Sequence, residues 1–203
     1  MNMLQPSTGS GNSLDKALSI LRLGGVIVFP TETAYGIAAD ATNSHAVGKV
    51  MAIKGRSIMK APPLIVSDLK MAEKHALLSP IFDQLISSLW PGPLTIISPI
   101  RKDSTLSPLV VQDNTIAVRV SSHPIAQALS HELNVPIVAT SANLAGEPPC
   151  YDIESVKKQF SSQILQPDLY LDGGVLQVRQ PSTIVKEENG RIVILRQGEI
   201  IIP

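Results

Sequence analysis

The chain is poor in cysteine, in aromatic residues and in net charge, and it has no long apolar run. A single cysteine, Cys150, excludes an internal disulfide and agrees with a reducing compartment. Aromatic residues make up 3% of the 203 residues, and 17 basic residues balance 17 acidic ones, which argues against a dedicated nucleic-acid-binding protein. No apolar run approaches the roughly 20 residues that a membrane-spanning helix needs. We expect a cytoplasmic protein that does not insert into a membrane.

The beginning of the chain differs in composition from the rest. Residues 1–12 are rich in Ser, Gly and Asn and lack the basic and apolar regions of a signal peptide, so we expect a flexible lead-in. Residues 13–203 are long enough to bury a hydrophobic core without disulfides or metals. They are predicted to form one domain.

Helical and strand-like patterns alternate along the chain. Apolar residues at helical spacing predict helices at 14–23, 44–54, 69–75, 81–90, 124–133 and 153–160. Ser13 is the predicted cap of the first helix. Short apolar runs predict strands at 26–29, 64–66, 94–97, 115–120 and 135–140, and Asn189-Gly190 predicts a tight turn between two further strands. This interleaving indicates an α/β protein around a mixed sheet.

Several common site motifs are absent from the sequence. It has no G-x-x-x-x-G-K-[ST] loop, no G-x-G-x-x-G after a strand and no G-x-S-x-G elbow, which excludes ordinary P-loop, dinucleotide-binding and α/β-hydrolase sites. The histidines at 45, 75, 123 and 131 do not have the spacing of metal ligands. We expect no metal site built by the protein alone.

Two short motifs follow predicted secondary structure and carry groups that suit a polyphosphate. Lys54-Gly55-Arg56 ends a helix and offers a point charge and a bidentate guanidinium. Ser141-Ala142-Asn143 follows a strand and offers a hydroxyl and an amide. In an alternative interpretation the basic pair compensates the helix dipole, and the Ser and Asn side chains stabilise a turn. Together the motifs favour a nucleotide site.

Two further features lie where a ligand site is expected. Arg119 interrupts the apolar strand 115–120, and a guanidinium there is costly to bury unless an anion pairs with it or that face is wet. Arg119 therefore predicts a ligand that carries a carboxylate or a phosphate. The alternatives are an internal Asp or Glu partner and simple exposure of the side chain to solvent. The hydroxyl-rich segment 30–36 follows a strand, the usual place for ligands in open α/β sheets. The alternative is a local turn capped by Thr31 or Thr33.

Taken in order, the motifs resemble those of the YrdC/TsaC family of threonylcarbamoyl-adenylate synthases. The motifs that carry the resemblance are Pro-Thr-Glu-Thr-x-Tyr-Gly (30–36), Lys-Gly-Arg (54–56), Pro-Leu-Ile-Val (63–66), Trp-Pro-Gly-Pro-Leu-Thr (90–95), Ala-Val-Arg-Val (117–120), Thr-Ser-Ala-Asn-x-x-Gly (140–146), Pro-Ser-Thr-Ile-Val (181–185) and Ile-Leu-Arg-x-Gly (194–198). They span nearly the whole chain. The resemblance implies a YrdC/RibB-like twisted open mixed sheet with flanking helices and a concave basic face, in the short single-domain form of the family.

The resemblance also implies a reaction and its site residues. L-threonine, bicarbonate and ATP would give threonylcarbamoyl-AMP and pyrophosphate, with Mg²⁺ carried by the triphosphate. Lys54 and Arg56 would be catalytic. ATP would contact Lys54, Arg56, Lys60, Thr115, Ser141, Asn143, Pro149 and Arg196. Threonine would contact Thr33, Ser67, Arg119, Ala139 and Ser182, although many members of the family have a histidine at the position of Ser67.

The implied product is the activated intermediate for threonylcarbamoyladenosine in tRNA. The expected partners are therefore downstream tRNA threonylcarbamoyl-transfer proteins, with weak binding of tRNA itself. Two alternatives stay open: an RNA-binding module of the same fold, and a paralogous enzyme that forms another carbamoyl-adenylate, as in the YrdC-like module of hydrogenase maturation factors.

Overall fold

The computed structural model describes residues 10–55 and 61–202, and these ranges form six α-helices and ten β-strands. The helices are α1 Ser10–Arg22, α2 Ser44–Ile53, α3 Leu69–His75, α4 Asp83–Leu89, α5 Pro124–Leu133 and α6 Ile153–Phe160. The strands are β1 Ile27–Pro30, β2 Tyr35–Ala38, β3 Leu64–Val66, β4 Leu94–Pro99, β5 Thr115–Val120, β6 Ile137–Val138, β7 Thr140–Ser141, β8 Leu169–Tyr170, β9 Thr183–Glu188 and β10 Arg191–Arg196. Within these ranges no helix combines the length and the apolar composition needed to cross a bilayer.

Side-chain caps begin four of the helices: His123 accepts a hydrogen bond from Ile125 N at the start of α5, and Asn or Asp side chains cap three others. Asn43 accepts hydrogen bonds from the backbone N–H groups of the first turn of α2, Asp68 accepts one from Met71 in α3, and Asp152 accepts one from Ser155 in α6. Each cap satisfies an N–H group that has no partner within its own helix. The predicted starts of these helices are confirmed.

The start of α1 differs from the prediction. This helix begins at Ser10, so Ser13 lies inside it and the prediction that Ser13 is the cap is wrong. Once a helix has nucleated, each further residue adds a backbone hydrogen bond at little cost, so a start can move beyond a good capping residue. Of the predicted lead-in, residues 10–12 belong to α1 and residues 1–9 lie outside the described residues, so its flexibility stays a prediction.

The strands lie in two mixed sheets, which confirms the predicted α/β class. One sheet has the order β7-β2-β1-β8 and the other has the order β10-β9-β4-β5-β3-β6. The pairs β1–β8, β3–β5 and β4–β9 are parallel, and the remaining pairs are antiparallel. The predicted turn joins β9 to β10, with Asn189 and Gly190 at φ values of 53° and 71°, as a tight hairpin turn requires.

The predicted strand 135–140 is divided between the two sheets. Its first part, β6, pairs with β3, and its second part, β7, pairs with β2. Ala139 lies between them and donates its N–H to the carbonyl of Pro63 at 2.9 Å. The chain therefore crosses from one sheet to the other at the point where the predicted site residues Ala139 and Ser141 lie.

Apolar side chains from both sheets meet in a shared core. Val28 and Ile37 of the four-stranded sheet belong to the same buried cluster as Leu64 and Val118 of the six-stranded sheet. Tyr35 is buried with them, where its hydroxyl donates to the carbonyl of Gly174 and accepts from the N–H of Gly173, both at 2.8 Å. Burial raises the pKa of Tyr35, so the hydroxyl stays protonated at neutral pH.

We expect Asp68→Ala to lower the free energy of unfolding by about 1 kcal/mol at neutral pH, because the variant loses the cap of α3. The hydrogen bond from Met71 N holds the pKa of Asp68 below its usual value. The contribution of this carboxylate is therefore present above its unfolded-state pKa and is lost as the pH falls through its folded-state pKa.

Urea unfolding at neutral pH and in acid measures both effects. The free energies of unfolding of the wild type and Asp68→Ala should converge in acid. Asp68→Asn is the control, since asparagine caps helices as well as aspartate does. Identical unfolding midpoints for Asp68→Ala and the wild type at neutral pH would contradict this role of the cap.

Candidate functional site

A cavity of about 420 Å³ is lined by one face of the six-stranded sheet, by the turn after β1 and by β7. In the sheet, Ile65 lies opposite Arg119, and Ile184 lies opposite both Thr95 and Arg196. All five residues line the cavity. Since side chains alternate between the two faces of a strand, their apolar neighbours Leu94, Ile96, Val118 and Val185 are buried in the core.

Six of the predicted site residues line this one cavity: Thr33, Arg119, Ala139, Ser141, Ser182 and Arg196. They come from positions far apart in the sequence, and the two sheets bring them together. The structure therefore places residues predicted for threonine beside residues predicted for ATP. The ligand that each residue contacts stays a prediction.

Three other predicted residues lie outside the cavity lining, and two fall outside the described residues. Ser67 follows β3, lies outside the cavity lining, and donates its hydroxyl to Asp68 at 3.2 Å. Thr115 lies on β5 beyond the lining, and Pro149 is exposed in the loop after β7. Arg56 and Lys60 lie outside the described residues.

Arg119 pairs with a carboxylate that the sequence analysis does not identify. Its Nη1 lies 3.3 Å from Oε1 of Glu32, and the two side chains are 9% and 11% exposed. The other oxygen, Oε2, accepts a short hydrogen bond from the hydroxyl of Ser121. Arg119 thus has the internal acidic partner that was one alternative, and it also lines the cavity. A buried guanidinium facing a cavity is suited to bind an anion.

A second guanidinium lies at the edge of the same cavity. Arg196 donates to the carbonyl of Ser182 at 2.7 and 3.0 Å and to its hydroxyl at 3.0 Å. The hydroxyl of Ser182 lies 2.9 Å from that of Thr95. Desolvation, and then the nearby charge of Arg119, lower the pKa of Arg196. The two arginines create a positive site whose charge Glu32 only partly balances.

Lys54 does not line the cavity, but its side chain binds the backbone of Ser141, which does. The residue is 1% exposed, and its ammonium donates to the carbonyl of Asn143 at 2.9 Å and, through a short bond, to the carbonyl of Ser141. The amide of Asn143 in turn donates to the carbonyls of Leu144 and Glu147 at 2.9 and 2.6 Å. The loop after β7 is therefore organised around a buried cation.

The turn after β1 is built by Thr31. Its hydroxyl donates to the carbonyl of Ala34 at 2.7 Å and accepts from the N–H groups of Thr33 and Ala34 at 3.2 and 3.3 Å. The local-turn interpretation therefore holds for Thr31. Thr33 lines the cavity, with its hydroxyl 3.1 Å from that of Thr31.

Sequence reasoning missed Glu32 and Thr95 as members of the site. Glu32 has a signal in hindsight, because it is the acidic residue in the segment 30–36 and Arg119 needs an anionic partner. Thr95 has none, since a threonine in a strand is ordinary. The ranges that the structure describes contain no group of three or more His, Cys, Asp or Glu side chains that could hold a metal ion.

The site can be compared with known proteins. The sequence profile of the Sua5/YciO/YrdC family, described as "Telomere recombination", matches residues 19–198. A Photobacterium profundum protein named threonylcarbamoyl-AMP synthase is 41% identical over 157 residues, which are 75% of this chain and 84% of that protein. A Coxiella burnetii protein of the same name is 36% identical over 186 residues, 90% of this chain and 97% of that protein.

A solved structure has a similar fold. The crystal structure of P. abyssi Sua5 complexed with L-threonine superposes on 91% of this chain with a TM-score of 0.83 and 29% sequence identity. The chain spans about half of that longer protein, 54% of its length.

We expect Lys54→Met to lower the free energy of unfolding by about 3 kcal/mol, because it leaves the carbonyls of Ser141 and Asn143 without their buried donor. Urea unfolding followed by circular dichroism measures the loss. Lys157→Met is the matched control, since Lys157 lies on the surface and pairs with an exposed Glu154. A Lys54→Met midpoint equal to that of the control would show that the ammonium does not hold the loop.

Proposed function

The chain belongs to the Sua5/YciO/YrdC family, and on that premise we propose that it is a threonylcarbamoyl-AMP synthase. The reaction joins L-threonine, bicarbonate and ATP and releases pyrophosphate and water. Two relatives of this name match most of this chain over most of their own length. The observation that carries the proposal is the guanidinium of Arg119 in the wall of a cavity that Ser141, Ser182 and Arg196 also line.

We assign the amino-acid half of the cavity to the region around Arg119. The carboxylate of threonine would pair with this guanidinium, since a planar fork of N–H donors matches a carboxylate. Thr33 and the backbone of Ala139 line the same region, and Ser182 adds a hydroxyl. The P. abyssi Sua5 structure is a complex of that relative with L-threonine, which supports the assignment.

We assign the ATP half to the region of Ser141 and Arg196. Ser141 lines the cavity, and Arg196 adds a second positive charge next to Arg119. Lys54 and Asn143 would contribute by fixing the loop that carries Ser141. Contacts of ATP with Lys54, Arg56, Lys60, Thr115, Asn143 and Pro149, contacts of threonine with Ser67, and the catalytic roles of Lys54 and Arg56 stay predictions from the family resemblance.

The chemistry requires no protein nucleophile. The amine of threonine attacks the carbon of bicarbonate, or of the carbon dioxide left when bicarbonate loses its hydroxide. A C–N bond forms, the C–OH bond of bicarbonate breaks, and the hydroxide leaves with the amine proton as water to give a carbamate. A carbamate oxygen then attacks the α-phosphorus of ATP, a new P–O bond forms, and pyrophosphate leaves. The protein would contribute by holding both reactants in contact and by stabilising the negative charge of the triphosphate with fixed donors.

Mg²⁺ would enter the site as part of the substrate. The described residues offer no cluster of carboxylates or histidines that would hold a divalent ion, so the ion would be coordinated by the oxygens of the triphosphate. The arginines of the cavity carry the charge that the protein itself supplies.

The product is an acyl-adenylate, a labile compound that must be consumed soon after release. We propose that it is passed to tRNA threonylcarbamoyl-transfer proteins, that direct contact with tRNA is weak, and that these steps take place in the cytoplasm.

The test is to incubate the purified chain with ATP, bicarbonate and a set of labelled amino acids and to analyse the products by mass spectrometry. We expect an adenylate that contains threonine and bicarbonate carbon, together with pyrophosphate. An adenylate of another carbamoyl compound would instead favour the paralogous-enzyme alternative. No adenylate, combined with salt-dependent binding of RNA, would favour the RNA-binding alternative.

We expect Arg119→Lys to weaken threonine binding about ten-fold, because lysine keeps the charge but loses the bidentate contact with a carboxylate. Isothermal titration calorimetry with threonine measures the change. Arg191→Lys, at an exposed position of β10, is the control and should bind threonine as the wild type does. If Arg119→Lys binds threonine as tightly as the wild type does, Arg119 does not bind the threonine carboxylate.

A further inference from the structure

We propose that Glu32 is a positioning residue, which holds the guanidinium of Arg119 in the orientation that receives the carboxylate of the amino-acid substrate. The inference rests on the proposed function and extends it to a residue that does not itself touch the ligand. Three observations support it: Glu32 contacts Arg119 without lining the cavity, a hydrogen bond fixes the orientation of its carboxylate, and its other oxygen has no partner besides Arg119 in the part of the chain that the structure describes.

Arg119 lines the cavity, and Glu32 pairs with it from outside the set of lining residues. The Glu32 side chain comes from the turn after β1, whereas Arg119 is on β5 of the other sheet, and their charged atoms are 3.3 Å apart. A ligand in the cavity can therefore contact the guanidinium, while Glu32 contacts the same guanidinium without lining the cavity.

Ser121 fixes the orientation of the Glu32 carboxylate. Its hydroxyl oxygen accepts a hydrogen bond from the backbone N–H of His123 at 3.2 Å. A backbone N–H only donates, so the hydroxyl keeps its own hydrogen for a donor contact, which it makes with Oε2 of Glu32. The N-terminal turn of α5, where His123 is the cap, thereby anchors the carboxylate.

The second oxygen of Glu32 has no hydrogen bond among the described residues and is enclosed by protein. Its proximity to Arg119 is therefore the interaction that compensates its burial. A buried carboxylate in this position is costly for a protein that needs only stability. The arrangement is explained if the carboxylate is retained to orient the arginine.

A different role for the Glu32 carboxylate predicts the opposite change in threonine affinity. If Glu32 acted only as a counter-charge, its neutralisation would make the site more positive and would strengthen the binding of an anion. If Glu32 positions Arg119, neutralisation releases the guanidinium and weakens the binding. The direction of the change in threonine affinity separates the two roles.

The experiment compares Glu32→Gln with the wild type by calorimetry, with threonine and with ATP in separate titrations. We expect threonine to bind about ten-fold more weakly and ATP to bind unchanged. In the background of Arg119→Ala, the same substitution should not weaken threonine binding further, because Glu32 acts through Arg119.

Ser121→Ala provides a second variant that keeps every charge and removes the donor to Glu32, together with the acceptor of the His123 N–H. We expect threonine to bind several-fold more weakly to it. Ser130→Ala is the matched control, since Ser130 is also buried but donates to the carbonyl of Val135 away from the cavity. Thermal unfolding by circular dichroism checks that each variant folds, and if Glu32→Gln does not fold, Ser121→Ala decides.

Three results would overturn the inference: unchanged or tighter threonine binding in a folded Glu32→Gln, an equal loss of affinity for threonine and ATP, or a loss of threonine affinity that Glu32→Gln still causes in the Arg119→Ala background. The inference would also be overturned if Ser121→Ala bound threonine as tightly as Ser130→Ala does. A wild type that neither binds threonine nor forms its adenylate would defeat the proposed function and this inference together. If the wild type binds threonine and forms its adenylate, and the variants bind threonine as the wild type does, only this inference is defeated.

Discussion

The ion pair between Glu32 and Arg119 is the interaction on which the site depends. It joins the turn after β1 in one sheet to β5 in the other, and it lets a guanidinium remain buried in the wall of a cavity. Burying either charge alone would cost several kcal/mol. Lys54 shows the same constraint, since its ammonium is buried only because the loop after β7 turns its carbonyls toward it. In both places a buried cation and its partners determine the shape of the cavity.

Local chemistry made much of this fold predictable. The caps at Asn43, Asp68 and Asp152 satisfy N–H groups a few residues away, so their effect is visible in a short stretch of sequence. The strands that carry Thr95 and Arg119 are long enough for their apolar pattern to be recognised. Arg119 itself stood out because a charge in an apolar strand is rare and must have a partner. The eight motifs then indicated the family, which the comparisons confirm.

Features that depend on distant contacts could not be predicted in this way. Strand β2 is buried on both faces and therefore shows no alternation, and β8 has two residues. The division of 135–140 between the sheets is set by its neighbours β3 and β2 rather than by its own residues. The sequence indicates that Arg119 needs an anionic partner. It does not indicate that Glu32, far away in the chain, is such a partner in addition to any ligand. It also could not show that Lys54 faces backbone carbonyls.

The proposal to test first is that one cavity, with Arg119 in its wall, receives an amino acid beside a nucleotide. A crystal structure of the chain with L-threonine and a non-hydrolysable ATP analogue would decide it. We expect the threonine carboxylate in hydrogen-bond contact with the guanidinium of Arg119, and the triphosphate beside Ser141 within the same cavity. Threonine bound elsewhere, or bound in the cavity with its carboxylate turned away from Arg119, would contradict the proposal.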